Sequence, residues 1–162
     1  MAYLSLLKNP AWDMVFVFML VAAGFFWGIS GGKKKMAMGI VAIYVLTALF
    51  PFVSVDYLAS GRAPNEAFMF GAGAFLILLV LLALFLLRAF RGVWKEDGAW
   101  WEILVFAILA AGFLMTSLIG LAQPSIAKNN FLNLSPLTLK LFADPIIAKW
   151  WTILPIFGVM FL

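Results

Sequence analysis

The side chains able to do chemistry in this 162-residue chain are few: seven carboxylates, eleven Lys or Arg and three Tyr, with no His and no Cys. Without Cys there is no disulfide, no thiolate nucleophile and no Cys-ligated zinc or iron–sulfur cluster. Without His there is no imidazole base and no usual haem or transition-metal ligand. Proton transfer would have to rest on carboxylates, amines and phenols. In a chain this apolar, such groups point to a relay or a transport path when they stand mid-span. Here they stand at the margins. Asp13 opens the first apolar stretch, Arg88 closes the third, and Glu102 opens the fourth. The polar residues within the stretches are Tyr44, Thr47, Thr116 and Ser117. Hydroxyls there can bond back to their own helix and need no further role. No P-loop, GxSxG, HExxH or GxGxxG pattern occurs. The inventory implies no enzyme, no cofactor and no metal site.

The elements that must carry these groups follow from composition. Hydrophobic residues make up 66% of the chain and charged residues 11%, with a mean hydropathy of +1.11. Ordinary soluble domains run at about 45–50% apolar and about 25% charged. A chain this short leaves much of its surface outside any core, so the excess cannot be hidden from water. Disorder needs low hydrophobicity and is excluded too. The fold class is therefore all-α, a polytopic membrane protein. A helix needs about 20 mostly apolar residues to cross about 30 Å of hydrocarbon. Four stretches qualify: 11–30, stopped by Lys33, Lys34 and Lys35; 36–55, with Pro51 expected to fray its last turn; 67–87, stopped by Arg88 and Arg91; and 101–122, ended by Gln123-Pro124. Gly61, Pro64 and Asn65 mark a polar turn between the second and third. Trp94, Trp100 and Trp101 stand where an aromatic belt would lie.

The sequence divides into a four-helix transmembrane domain, 1–124, and a C-terminal region, 125–162, read as amphipathic or re-entrant. Ser135-Pro136 reads as a helix N-cap with Pro at N1, and Asp144-Pro145 repeats the signal. The first predicts a short helix over 137–143; the second opens an apolar stretch over 146–162 with Lys149, Trp150, Trp151 and Pro155. That stretch is short for a full crossing, so an interfacial or re-entrant element is favoured over a fifth span. The apolar run reaches Leu162 with nothing polar after it, and a longer natural C-terminus is an expectation. A cleaved signal peptide is not expected, because the first stretch is long and ends in Lys33–Lys35.

Basic residues favour the cytoplasmic side of short loops. Lys33, Lys34, Lys35, Arg88, Arg91 and Lys95 fall in the first and third loops, against Lys8 and Arg62 on the other side. The N-terminus is expected outside, although Lys128, Lys140 and Lys149 in the tail narrow the margin. The same basic loops can face anionic lipid. The net charge of +4 is read in that way, not as a nucleic-acid surface.

Gly24 and Gly28 make a GxxxG pattern, and Gly32 continues the spacing. Gly71, Gly73 and Ala74 cluster in the third stretch, and Ala107, Ala111 and Gly112 in the fourth. Small residues let helix backbones approach closely where lipid removes the hydrophobic drive. Packing inside the bundle is the favoured reading, with self-association or docking to another membrane protein as the functional one. Asp13 has a similar pair of readings: stabilisation of a helix N-terminus by its charge, or part of a partner site.

Trp12-Asp13 opens an apolar helix that ends Gly28-Ile29-Ser30-Gly31-Gly32 before the basic run, and the second helix follows at once. A second hairpin comes next, then the tail with Ser135-Pro136 and a further apolar helix. This layout resembles the colicin V production protein family (CvpA-like) of bacterial inner membranes. In that family an Asp near the first helix start and a Gly-x-x-Gly followed by basic residues recur. Asp13 and the stretch from Gly28 to Lys33 stand at those places. The resemblance implies a non-enzymatic inner-membrane protein linked to bacteriocin production or export and envelope maintenance. The alternative is a small accessory subunit of a larger membrane complex; a small transporter or channel comes third.

Overall fold

The computed structural model describes residues 12–53, 61, 64–90, 99–121 and 134–161. Every regular element among them is helical. In chain order these are α1 (Trp12–Leu49) with a 3-10 turn at Phe50–Phe52, α2 (Pro64–Ala89), α3 (Trp100–Gly120), α4 (Pro136–Thr138) running into a π-helical turn (Leu139–Ala143), and α5 (Pro145–Phe161). Three elements are long and apolar enough to cross a membrane: Trp12–Phe52, Glu66–Ala89 and Trp100–Gly120. Pro136–Ala143 and Pro145–Phe161, bent by 57° at their junction, qualify together as a fourth. The fold is an all-α polytopic one.

α1 does not run straight. Gly32 sits at φ 75°, ψ 173°, the single non-helical residue inside it. Positive φ is costly for any residue with a Cβ, so only glycine takes this break readily. Along one continuous helix Gly24 and Met36 would stand about 18 Å apart. Instead, Met36 Cε lies 3.7 Å from the position of a Cβ on Gly24, and Trp27 Cζ3 lies 3.1 Å from that of Gly39. α1 is thus a hairpin of two arms, 12–31 and 33–49. The expected loop at Lys33–Lys35 is not a loop: helical geometry resumes at Lys33, and Gly32 alone turns the chain. The second arm is also shorter than the expected 36–55. The α-helix ends at Leu49 and tightens into the 3-10 turn that holds Pro51, because proline has no N–H to extend the ladder. α2 and α3 match the expected third and fourth spans to within a turn.

Two apolar cores join the elements. One gathers Met36, Ile40, Ile103, Phe106 and Ala107, with Val21, Phe25 and Tyr44 against them. The other gathers Leu46, Phe50, Phe75 and Leu118. The order of contacts fixes direction. Gly28 meets Ile103 and Gly24 meets Ala107, so the first arm runs antiparallel to α3. Met36 shares a core with Ile103, the Tyr44 and Phe113 rings lie 4.3 Å apart at a tilt of 38°, and Thr47 donates to Ser117 at 3.3 Å. The second arm therefore runs parallel to α3. α2 runs antiparallel to that arm, with Phe75 edge-on to Phe50 at 5.2 Å and Phe90 against Lys34.

In the tail, Ser135 caps α4 as expected, its Oγ accepting from Thr138 N–H at 3.2 Å, with Pro136 in the first turn. Asp144 Oδ1 caps α5, accepting from Ile146 and Ile147 at 2.8 and 3.3 Å. The short helix expected over 137–143 is mostly π-helical. Trp151 of α5 lies against Gly112, halfway along α3, and its indole N–H donates to Leu141 O at 2.8 Å. The tail thus packs on the middle of the bundle.

Candidate functional site

One end of the bundle collects Lys33, Lys34, Lys35 and Arg88. Lys33 Nζ pairs with Glu102 Oε2 at 3.4 Å, and Lys34 Nζ donates to Phe90 O at 2.5 Å. Arg88 stands in the last turn of α2 at this end. The Lys35 stem fills the space beside Gly31. The hairpin tip is thereby tied to the end of α2 and the start of α3. Both partners of the ion pair keep about a fifth of their surface, and a pair so wetted contributes about 0–1 kcal/mol. Its value is register. Trp100 and Trp101 are exposed here, as belt residues would be. Arg91 lies outside the described residues.

Asp13 marks the opposite end. Its Oδ2 accepts the backbone N–H of Ser135 at 2.7 Å. Ser135 Oγ donates to Thr138 Oγ1 at 3.1 Å, and Thr138, fully buried, donates on to Met14 Sδ at 3.3 Å. The carboxylate does more than favour the start of its own helix. It clamps the first turn of α1 to the first turn of the tail. A charge-assisted bond of this kind is worth about 1.5–3 kcal/mol.

Beside this clamp a cleft of about 330 Å³ opens between α1, α2 and α3. Asp13, Phe16, Phe68, Ala72, Leu76, Met115, Leu118, Ile119 and Leu134 line it. Asp13 is the one charged residue among them. Nothing in the spacing of the sequence announces this cleft. Asp13 at a helix mouth was the only signal.

The small residues singled out in sequence go to different uses. A Cβ on Gly28 would stand 2.5 Å from Ile103 Cγ2 and 2.8 Å from Met36 Cγ. Gly24 faces Ala107 at 3.5 Å. Gly112 is filled by the Trp151 ring, and Ala111 is buried beside it. These close approaches are all within the chain. Gly32 is the hairpin turn. Gly71 and Gly73 of α2 face open space. Tyr44 donates from its hydroxyl to Thr152 O of α5. Thr116 Oγ1 is buried without a hydrogen-bond partner among the described residues. Those residues hold no group of three His, Cys, Asp or Glu able to grip a metal.

No family model matches the chain, and neither curated proteins nor solved structures give a match.

Proposed function

We propose that this chain is a non-enzymatic multi-pass protein of the bacterial inner membrane, of the colicin V production type, that works through contacts between helices. One observation carries the reading. The polar groups best placed for chemistry are spent on structure, while one helix keeps an unoccupied apolar face. Asp13 holds Ser135, Glu102 holds Lys33, Asp144 caps α5 and Tyr44 holds Thr152. α2 packs along one side, through Ala72, Phe75, Leu78, Leu79 and Leu82. Its other side carries Met69, Ile77, Val80, Leu81, Leu84 and Phe85, all exposed. Those positions recur at helical spacing and so form one stripe. Gly73 lies on that stripe with open space before it, room for a neighbouring backbone to come close. The partner is a second copy or another membrane protein.

The basic end, with Lys33–Lys35 and Arg88, faces the cytoplasm in this account, and Asp13 faces outward. The clustering of Lys33, Lys34 and Arg88 at one end of the bundle supports that orientation. Purification from native membrane in mild detergent tests the contact reading. A stoichiometric assembly supports it; a stable, clean monomer retires it, along with the accessory-subunit variant.

A second reading, a small transporter, is favoured by the tail alone. Its two helical pieces are bent by 57° at Asp144, and Trp151 of the second lies against Gly112 of α3. Discontinuous helices at mid-depth are how many carriers build a binding site. Proteoliposomes showing saturable flux would select it.

A further inference from the structure

We propose that the cleft beside Asp13 is a lipid-binding site, taking one acyl chain of a phospholipid whose ammonium headgroup meets the Asp13 carboxylate. The walls decide the tail. Phe68, Ala72 and Leu76 from α2 face Met115 and Ile119 from α3, and none offers a strong polar group. A cavity so lined gives water no partners and does not hold it well. At about 330 Å³ it falls at the lower end of the about 300–1,000 Å³ of ligand pockets. From Phe68 to Leu76 the α2 wall descends about 12 Å at 1.5 Å per residue. That depth suits a chain running down from a headgroup, not a compact solute.

The rim decides the head. Asp13 stands in the first turn of α1, at the end of the bundle where that helix begins. The deepest lining residue of α2, Leu76, lies two turns further into that helix than Phe68. A headgroup at Asp13 and a chain along α2 therefore have the orientation of a lipid in a leaflet. The Ser135 N–H, the Ser135 and Thr138 hydroxyls and the Met14 backbone bond the carboxylate from the protein side, and these neutral donors leave its negative charge in place. Among the described residues the cleft lining holds no cation to neutralise it. An ammonium head complements that charge, and an anionic head opposes it. The bilayer supplies such lipid at high local concentration, and the apolar walls open between helices of spanning length.

The test is lipid retention. The full chain is reconstituted with equal phosphatidylethanolamine and phosphatidylglycerol, extracted in mild detergent, and retained lipid is counted by native mass spectrometry. The wild type retains one phospholipid per chain, with phosphatidylethanolamine preferred by about fivefold, the scale of one exposed ion pair. Ala72→Trp fills the cleft and abolishes retention. Asp13→Asn keeps an acceptor for Ser135 N–H and removes the charge, so retention persists while the preference falls to about one. If Ala72→Trp loses its helical circular dichroism, the Asp13→Asn comparison decides alone. A wild type that retains no lipid overturns the proposal. So does a folded Ala72→Trp variant that retains as much as wild type, or an Asp13→Asn variant with an unchanged preference. Failure here leaves the α2 contact reading untouched, because the cleft and the stripe use different residues.

Discussion

Gly24 of the first arm faces Ala107 of α3, with 3.5 Å between the Ala107 Cβ and the position a Cβ would take on Gly24. Disulfides form where Cβ atoms stand about 3.5–4.5 Å apart. The chain has no Cys, so an introduced pair has no competitor. Gly24→Cys with Ala107→Cys should close a disulfide within the monomer on mild oxidation, read by a mobility shift that reductant reverses. Gly24→Cys with Leu118→Cys, at the other end of α3, should not. Equal crosslinking in both pairs would mean that the first arm does not run antiparallel to α3.

The hairpin turns on one residue. Gly32 at φ 75°, ψ 173° is the only non-helical position in α1, and a Cβ in that essentially glycine-only region costs about 1–3 kcal/mol. Gly32→Ala should lower the thermal midpoint in detergent. Gly71 is helical with open space before it, so Gly71→Ala should be neutral or stabilise by up to about 1 kcal/mol. The same shift in both variants would mean that the chain does not need glycine to reverse at Gly32.

One ring seats the tail against the middle of α3. Trp151 lies 5.5 Å from the Phe142 ring, tilted by 31°, fills the space over Gly112, and donates to Leu141 O. Trp151→Ala should cost about 3–5 kcal/mol. Gly112→Ala pushes a Cβ into the same ring and should cost about 1–3 kcal/mol. Because the two residues touch, the double variant should cost less than the sum. Strict additivity in chemical unfolding would place them apart.

The clamp at the other end has its own signature. Asp13→Ala removes the acceptor for Ser135 N–H and should cost about 1.5–3 kcal/mol, with faster hydrogen exchange of amides in α4. Asp13→Asn keeps an acceptor and should cost less. Exchange in α4 that ignores both changes would show that Asp13 does not hold the tail.

Orientation can be read separately. A reporter fused at Ala63 should register as non-cytoplasmic, and one following Arg88 as cytoplasmic. The reverse pattern would turn the proposed topology over.

Much of the fold was legible in the sequence, for a physical reason. Length and apolarity define helices that lipid can hold, and Pro51, Ser135-Pro136 and Asp144-Pro145 mark ends by local chemistry. The partners were not legible. In lipid the outward face of a helix is as apolar as its inward face, so no amphipathic stripe says that Met36 meets Ile103 or that Trp151 covers Gly112. Gly28 showed that a backbone comes close but not which one, and the structure gives it to the chain's own α3 and Met36. The basic run hid the turn, because Lys33–Lys35 suggested a loop that Gly32 makes alone. Asp13 was visible as a helix-mouth acid, but its bond to Ser135 joins residues 122 apart in sequence, beyond the reach of spacing arguments.

The contact role of α2 is tested most directly by a photoreactive side chain at Ile77, which is exposed on the stripe, compared with one at Ile40, which is fully buried. Irradiation in native membranes should give a discrete protein adduct at Ile77, competed by excess unlabelled chain if the partner is a second copy. Ile40 should give only crosslinks within the chain. Diffuse lipid adducts alone at Ile77 would contradict the account.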